Sequence, residues 1–168
     1  TRMLGSGNIN SENLWQAAKP MFHEIGSSDG VLIIDDSIEE KRYTDSNSLI
    51  NWYFDHTVGK CVKGVNFITA LYHSNGMSLP VGVEFVKKTK PVINKKGKLV
   101  YKSERSKNMI CQELIKHAVH NLYFKYVLCD SWFCCAATMR YVVEECKRHF
   151  IMAIKNNRQV ALSKEDKA

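Results

Sequence analysis

The run Val31-Leu32-Ile33-Ile34-Asp35-Asp36-Ser37 constrains this chain more than any other stretch. Four apolar residues, three of them β-branched, lead straight into two carboxylates and a hydroxyl. Branching at Cβ favours extended backbone. An all-apolar run closed by polar groups fits a strand buried on both faces that surfaces at its C-terminal end. The pattern returns at Tyr126-Val127-Leu128-Cys129-Asp130-Ser131. Open α/β sheets carry their chemistry at such strand ends. Two of them side by side would place one carboxylate from each against a shared divalent cation.

Charge adds a second constraint. The net charge is +7, and between Lys87 and Lys107 stand nine basic residues and one acid, Glu104. The remainder of the chain is close to neutral, so the excess belongs to one region: Lys87, Lys88, Lys90, Lys95, Lys96, Lys98, Lys102, Arg105 and Lys107. A polyanion such as nucleic acid is the partner this favours, against the plainer reading of a lysine-rich solvated loop. Lys60, Lys63 and Lys155 are further candidates for phosphate contact.

The chain's 168 residues suffice for one domain with a core, and 45% apolar content argues against disorder. No run approaches the ~18 apolar residues of a membrane span, and there is no basic-then-apolar leader. The cytoplasm is the expected compartment, with no membrane partner. The first residue is Thr1 rather than Met, which reads as a cut or processed start. Cys61, Cys111, Cys129, Cys134, Cys135 and Cys146 lack paired C-x-x-C spacing. They are expected to be reduced and mostly buried, not a disulfide scaffold or a zinc site.

Along the chain, 1–30 reads as a helical lead-in. Asn10 or Ser11 caps a helix that Pro20 interrupts, and the loop Gly26-Ser27-Ser28-Asp29-Gly30 follows. Ile38 to Gly64 reads as a long irregular excursion. It either shapes a site or pins itself to the core through Trp52, Tyr53 and Phe54. His56 within it is a ligand or proton carrier, or else a structural histidine bonded to Asp55. Val65–His73 and Leu79–Val86 form an antiparallel hairpin through Asn75-Gly76, with Pro80 near the start of its strand. Asn94 to Lys98 is an exposed turn. Ser106 to Leu122 is a helix with the apolar stripe Met109, Ile110, Leu114, Ala118, Val119 and Leu122. The second apolar strand, a helix over Trp132 to Lys147, a short strand over Phe150 to Ile154 and a polar tail complete the chain. Three strands in a row, then alternating helix and strand, predict an α/β fold: a mixed sheet with flanking helices.

That order, with Asp closing the first and fourth strands, resembles the ribonuclease H-like fold. The stretches IIDDSIEEKRYTD, NWYFDHTVGKCVKGVN, LPVGVEFV and FKYVLCDSWF are more specifically similar to part of the catalytic domain of DDE transposases from bacterial insertion sequences, of the insertion sequence four type. The likeness spans Val31 to Asn156. It divides the chain into a lead-in at 1–30, a catalytic core at 31–156 and, at 157–168, a tail where the family insertion begins.

In that family two Asp and one Glu bind two divalent metals, Mg²⁺ or Mn²⁺, which activate water and then a DNA 3′-hydroxyl. The family's first Asp precedes a small hydroxyl residue, which implies Asp36 before Ser37, with Asp35 and His56 as accessory groups. The second implies Asp130. The family Glu lies on a helix beyond the insertion, and nothing up to Ala168 matches it; Glu144 and Glu145 precede the fifth strand. The resemblance thus implies a segment of an enzyme that cleaves and transfers DNA strands, with an incomplete metal site and little activity alone. DNA, as transposon ends and target, is the implied partner, and a homodimer is compatible with it.

The chemistry suits these residues. Two metals roughly 3.5–4 Å apart clamp the attacking and leaving oxygens of a phosphodiester, and hard cations take carboxylate ligands. Adjacent carboxylates repel unless a cation enters. Singly, each Asp also reads as a turn former bonding its own backbone. Two other readings stay open: a non-catalytic nucleic-acid-binding remnant of a mobile element, and a complete nuclease drawing its third acid from within the chain.

Overall fold

The structure, a computed structural model, describes residues 11–159. The cap expected at Asn10 and the tail from 160 onward lie outside the described residues.

Helix α1 (Ser11–Ile25) runs without a break through Pro20, which corrects the interruption expected there. Proline in a helix interior costs roughly 3 kcal/mol. Trp15, Phe22 and Ile25 are all buried on one face of α1, and burying each such side chain contributes roughly 1.5–3 kcal/mol. Packing outweighs the local penalty.

The first apolar run is β1 (Val31–Glu40), and it continues six residues past Ile34. The excursion expected to be irregular contains β2 (Ile50–Asp55) and the start of β3 (Lys60–Ser74). β3 is the spine of the sheet. One of its edges pairs antiparallel with β1, from Val31↔His73 to Glu40↔Gly64. Its other edge is shared by β2, from Ile50↔Val65 to Asp55↔Lys60, and by β4 (Met77–Phe85), from Phe67↔Phe85 to Ser74↔Met77. The β3–β4 turn holds Asn75 at φ 51° and Gly76 at φ 76°, the left-handed pair that suits a tight hairpin. Pro80 sits at a register shift opposite Ala70/Leu71, where a missing amide is tolerated.

The basic tract is itself a hairpin, β5 (Lys88–Ile93) with β6 (Leu99–Ser103), forming a separate two-stranded sheet. Its tip is the expected turn at Asn94, whose Oδ1 accepts the amides of Lys96 and Lys98. Helix α2 (Lys107–Asn121) is capped by Ser106, whose Oγ accepts the Met109 amide at 3.2 Å. Strands β7 (Tyr126–Cys129) and β8 (His149–Met152) extend the main sheet in parallel, giving the path β2-β3-β1-β7-β8. Between them the helix expected over Trp132 to Lys147 is shorter. It comprises α3 (Ala136–Arg140) followed by a π-helical turn at Tyr141–Glu145. Four antiparallel strands, β1 to β4, leading into the parallel β7 and β8, with helices on the sheet, make this a ribonuclease H-like α/β fold.

The core lies on one face. Leu32 and Ile34 of β1, Ile68, Ala70 and Tyr72 of β3, and Val127 of β7 are buried together with α1 and with Ile110, Cys111, Ile115 and Ala118 of α2. Tyr72 anchors the far end: its hydroxyl accepts the Ser27 amide at 2.9 Å and donates to the Tyr123 carbonyl at 3.0 Å. Gly30 must be glycine there, because a Cβ would fall 2.5 Å from that hydroxyl. The cysteines are free: Cys111, Cys129, Cys134 and Cys146 are buried, and Cys61 is exposed. Among the described residues no helix is long and apolar enough to cross a membrane.

Candidate functional site

β1 and β7 lie side by side with no strand between them, in parallel register from Val31↔Tyr126 to Ile34↔Cys129. β7 ends there and β1 does not. From Asp35 onward β1 keeps β3 on one edge and loses its neighbour on the other. The unequal strand lengths open a cleft of about 620 Å³. It is lined by Asp35, Asp36, Asp55, Asp130, His56, Lys107 and Lys155, with Phe54 and Trp132 as aromatic walls.

Each acid is held differently. Asp35 is level with Asp130, one step past the last paired positions, and is exposed. Asp36, one residue further, continues the buried face of Leu32 and Ile34, and therefore meets the start of α2. There it forms an ion pair with Lys107, the first residue of that helix. Both side chains are about one-fifth exposed, 20% for Asp36 and 22% for Lys107. The N-terminal end of the helix adds favourable dipole charge at the same spot. Asp130 accepts the amide of its own neighbour Ser131, and its carbonyl accepts the Phe133 amide at 3.0 Å. This is a turn-forming aspartate whose carboxylate also borders the cleft. Asp55 accepts the amides of Thr57 and Val58, at 2.8 and 3.4 Å, and so turns β2 into β3. Asn66 escapes a motif-based reading. Fully buried on β3, it donates to the Ser37 carbonyl at 3.1 Å and so fixes the overhanging end of β1. Its only sequence signal is a polar residue within an alternating apolar strand.

His56 is brought to the cleft, but by its ring. It lies between Phe54 and Trp132, with centroids 4.9 Å from each. The basic residues divide. Lys107 and Lys155 reach the cleft. Lys60 and Lys63 stand on β3 opposite Asp55 and Trp52. Lys87 precedes β5. Lys88 is turned inward, donating to the Trp52 carbonyl and lying 4.5 Å from the Tyr53 ring centroid. Burial holds its ammonium below the usual range, an effect Cys61 opposes and Lys107 reinforces. Lys90 and Lys102 pair across the β5–β6 hairpin, while Lys95, Lys96 and Lys98 crown its tip. Arg105 bridges Glu84 and Glu113, at 2.9 and 2.5 Å.

The donors present fit a hard divalent cation. Asp35, Asp36 and Asp130 offer only carboxylate oxygens, and the Lys107 ammonium at Asp36 marks a position that demands positive charge. Among the described residues, no three His, Cys, Asp or Glu groups are arranged to hold a metal.

The family model described as DDE superfamily endonuclease matches residues 11–166. No curated protein and no solved structure matches the chain. With the match running over α1, the whole mixed sheet and the cleft at its parallel edge, the chain belongs to the DDE superfamily endonucleases.

Proposed function

We propose that this chain is a transposase catalytic-domain segment, of the insertion sequence four type. In the intact protein it would cleave and transfer DNA strands with a divalent cation, Mg²⁺ or Mn²⁺. The observation that carries this is the overhang of β1 beyond β7, which gathers Asp35, Asp36 and Asp130 on one cleft. Asp36 and Asp130 are the proposed ligands, with Asp35 accessory to them. The bound cation would supply positive charge to a scissile phosphodiester and its attacking oxygen.

The chain's own residues do the rest. Asp36 lies on β1 and Asp130 directly follows the last residue of β7, so the register of two adjacent strands, and not a long loop, brings the two carboxylates to the same end of the sheet. Lys107 balances Asp36 in the metal-free protein and must turn aside when a cation enters. Released, its ammonium faces the cleft, where DNA phosphate would lie. The β5–β6 hairpin, with Lys87, Lys90, Lys95, Lys96, Lys98 and Lys102, adds phosphate affinity without reading sequence. A third carboxylate from outside the described residues would complete the site, and without it turnover is expected to be small. A homodimer and a cytoplasmic location belong to the same proposal.

A second reading has an observation of its own. Asp36 is satisfied by Lys107 and Asp130 by the Ser131 amide, as in a non-catalytic nucleic-acid-binding remnant whose acids are purely structural. Titration calorimetry with Mn²⁺ separates the two. Binding that disappears in Asp36→Asn supports the metal site; wild-type protein that takes up no cation supports the remnant. Nicking of supercoiled DNA with Mn²⁺ by residues 1–168 alone would reject the incomplete site.

A further inference from the structure

Sulfur is concentrated where the end of β7 meets the core. Cys129 closes that strand, and Cys134 and Cys135 follow it closely, so three of the chain's six cysteines lie on one short stretch. A fourth, Cys111 of α2, packs against them: the Cys111 and Cys129 thiols hydrogen-bond to each other inside the core. Buried thiols of this kind pack as small apolar groups. Cys135 is different. The turn that begins at Asp130 is closed by the Phe133 amide on the Asp130 carbonyl at 3.0 Å and by the Cys135 amide on the Phe133 carbonyl at 2.9 Å. It buries Phe133 and Cys134 and leaves Cys135 half-buried, within reach of solvent. Cys135 Sγ lies 3.3 Å from the hydroxyl of Thr138, a side chain that is itself fully buried and so held in place by packing. Burial alone would raise the Cys135 thiol. The Thr138 hydroxyl, the Thr138 and Ala137 amides and the Arg158 guanidinium together outweigh it and hold the thiol below its usual range. Cys111 is the opposite case: the Cys129 hydrogen bond, burial and the charges of Cys129 and Cys135 all keep it a protonated thiol. An activated sulfur at the surface therefore has a protonated one behind it, near enough to sense its charge.

We propose that Cys135 is an oxidation site for hydrogen peroxide, and that Cys111 resolves it, joining the turn after β7 to α2 by a reversible disulfide. An accessible, thiolate-stabilised sulfur with a second thiol nearby is the arrangement that oxidises selectively. In the first step the Cys135 thiolate attacks one oxygen of the peroxide. An S–O bond forms, the O–O bond breaks, and the departing hydroxide takes up the proton that Cys135 released, leaving as water. The sulfur gives two electrons to the peroxide and becomes a sulfenic acid. In the second step the Cys111 sulfur attacks the Cys135 sulfur: an S–S bond forms, the S–O bond breaks, and the hydroxide leaves as water with the Cys111 proton. The bridge ties the turn that carries Asp130 to the helix whose first residue, Lys107, pairs with Asp36. Oxidation thus acts on both sides of the cleft at once. The sulfur chemistry needs nothing from the endonuclease reading, and its failure would leave that reading in place.

The test treats the fully reduced chain, freed of reductant, with hydrogen peroxide and maps its cysteines by mass spectrometry of non-reduced peptides. Wild-type protein should yield a Cys111–Cys135 disulfide that dithiothreitol reverses. Cys111→Ala should instead leave a sulfenic acid at Cys135, captured by dimedone, and Cys135→Ser should give neither product. Thr138→Val, close in shape but without the hydroxyl, should slow oxidation of Cys135 about 10-fold. Thermal melts of each variant report whether it folds. Cys135 left as a thiol while the exposed Cys61 is oxidised would overturn the site, since exposure alone would then decide. A Cys111–Cys129 bridge that forms equally well in Cys135→Ser would overturn Cys135 as the point of entry. An unchanged rate in folded Thr138→Val would overturn its activation by the buried hydroxyl. If Cys111→Ala fails to fold, dimedone added to wild-type protein together with the peroxide still decides, because the absence of any adduct or bridge at Cys135 rejects the proposal.

Discussion

The cleft and the β5–β6 hairpin are both charged, and they are built on opposite plans. In the cleft acids and bases stand together, and three of the four acids are tied to a particular partner: Asp36 to Lys107, Asp55 to the Thr57 amide, Asp130 to the Ser131 amide. From Lys88 to Ser103, along the hairpin, the charged side chains have one sign. Lys90, Lys95, Lys96, Lys98 and Lys102 form no ion pair among the described residues. Position carries the function in the first region, and number carries it in the second. Changes in the cleft should therefore act one residue at a time, and changes on the hairpin should act by their sum.

The largest effect tests the cleft's side of this contrast. Asp130→Asn keeps an oxygen that can accept the Ser131 amide, so the turn after β7 survives and the protein should melt near the wild-type temperature. The same change removes a carboxylate from the proposed ligand pair. Mn²⁺ affinity should fall about 100-fold or more, since even outer-shell partners of metal ligands contribute 10–100-fold. Unaltered Mn²⁺ binding, measured by calorimetry, would make Asp130 a turn former and nothing else.

Next in size is Lys107→Gln, which should move two quantities in opposite directions. Without the ammonium, Asp36 is a largely buried charge with no counter-ion, and the metal-free protein should lose about 1–3 kcal/mol. Thermal unfolding in EDTA checks that loss. The cation meanwhile no longer competes with an internal one, and its affinity should rise by about tenfold, on the order of 1.4 kcal/mol. A loss of stability with no gain in affinity would mean that Lys107 supports the fold alone.

The cleft was legible in the sequence only as far as its backbone. Val31–Asp36 and Tyr126–Asp130 announced two buried strands with acids at their ends, because apolar runs of that length have few other uses. Asn75-Gly76 announced a hairpin, and the stripe from Met109 to Leu122 announced α2. What the residues hid were elements whose signal lies in pairing instead of periodicity. β2 buries only Tyr53 along its six residues, so it shows no alternation, and its hydrogen-bond partners on β3 alone make it a strand. The polar end of β1, Ile38-Glu39-Glu40, is extended for the same reason. The sequence pattern places Trp132 at the first residue of a helix. The bonds from Phe133 and Cys134 back to Asp130 and Ser131 instead hold it in a turn, which is how it comes to wall the cleft. The Lys107–Asp36 pair joins residues 71 positions apart, beyond the reach of any local pattern.

On the hairpin, changing Lys95, Lys96, Lys98 and Lys102 together to Gln should weaken DNA binding and flatten its salt dependence. The slope of log affinity against log salt should fall by roughly 0.9 for each phosphate contact removed. Mn²⁺ affinity should stay where it was. Any single one of these substitutions should change DNA affinity by only a few-fold, because the remaining lysines keep most of the field. A single lysine with a much larger effect would show that the hairpin, too, works by position.

The smallest effect separates charge counted in the sequence from charge available at the surface. Arg105 belongs to the basic tract by composition, yet its guanidinium bridges Glu84 on β4 and Glu113 on α2. The hydrogen bond it donates to Glu84 leads the causes that raise its already high pKa, so it is a permanent cation with two anions attached. Such a group offers little net field to a phosphate. Arg105→Gln should leave the salt slope of DNA binding unchanged. It should instead loosen the junction of β4 with α2, by no more than about 1 kcal/mol, because these side chains are substantially exposed and solvent screens the pairs. For a chain of this size that is a drop in Tm of about 2–4 °C. If Arg105→Gln instead lowers the salt slope by as much as one of the hairpin lysines does, then the guanidinium leaves its glutamates for DNA, and the tract would extend as a phosphate-binding surface from the hairpin tip to the mouth of the cleft.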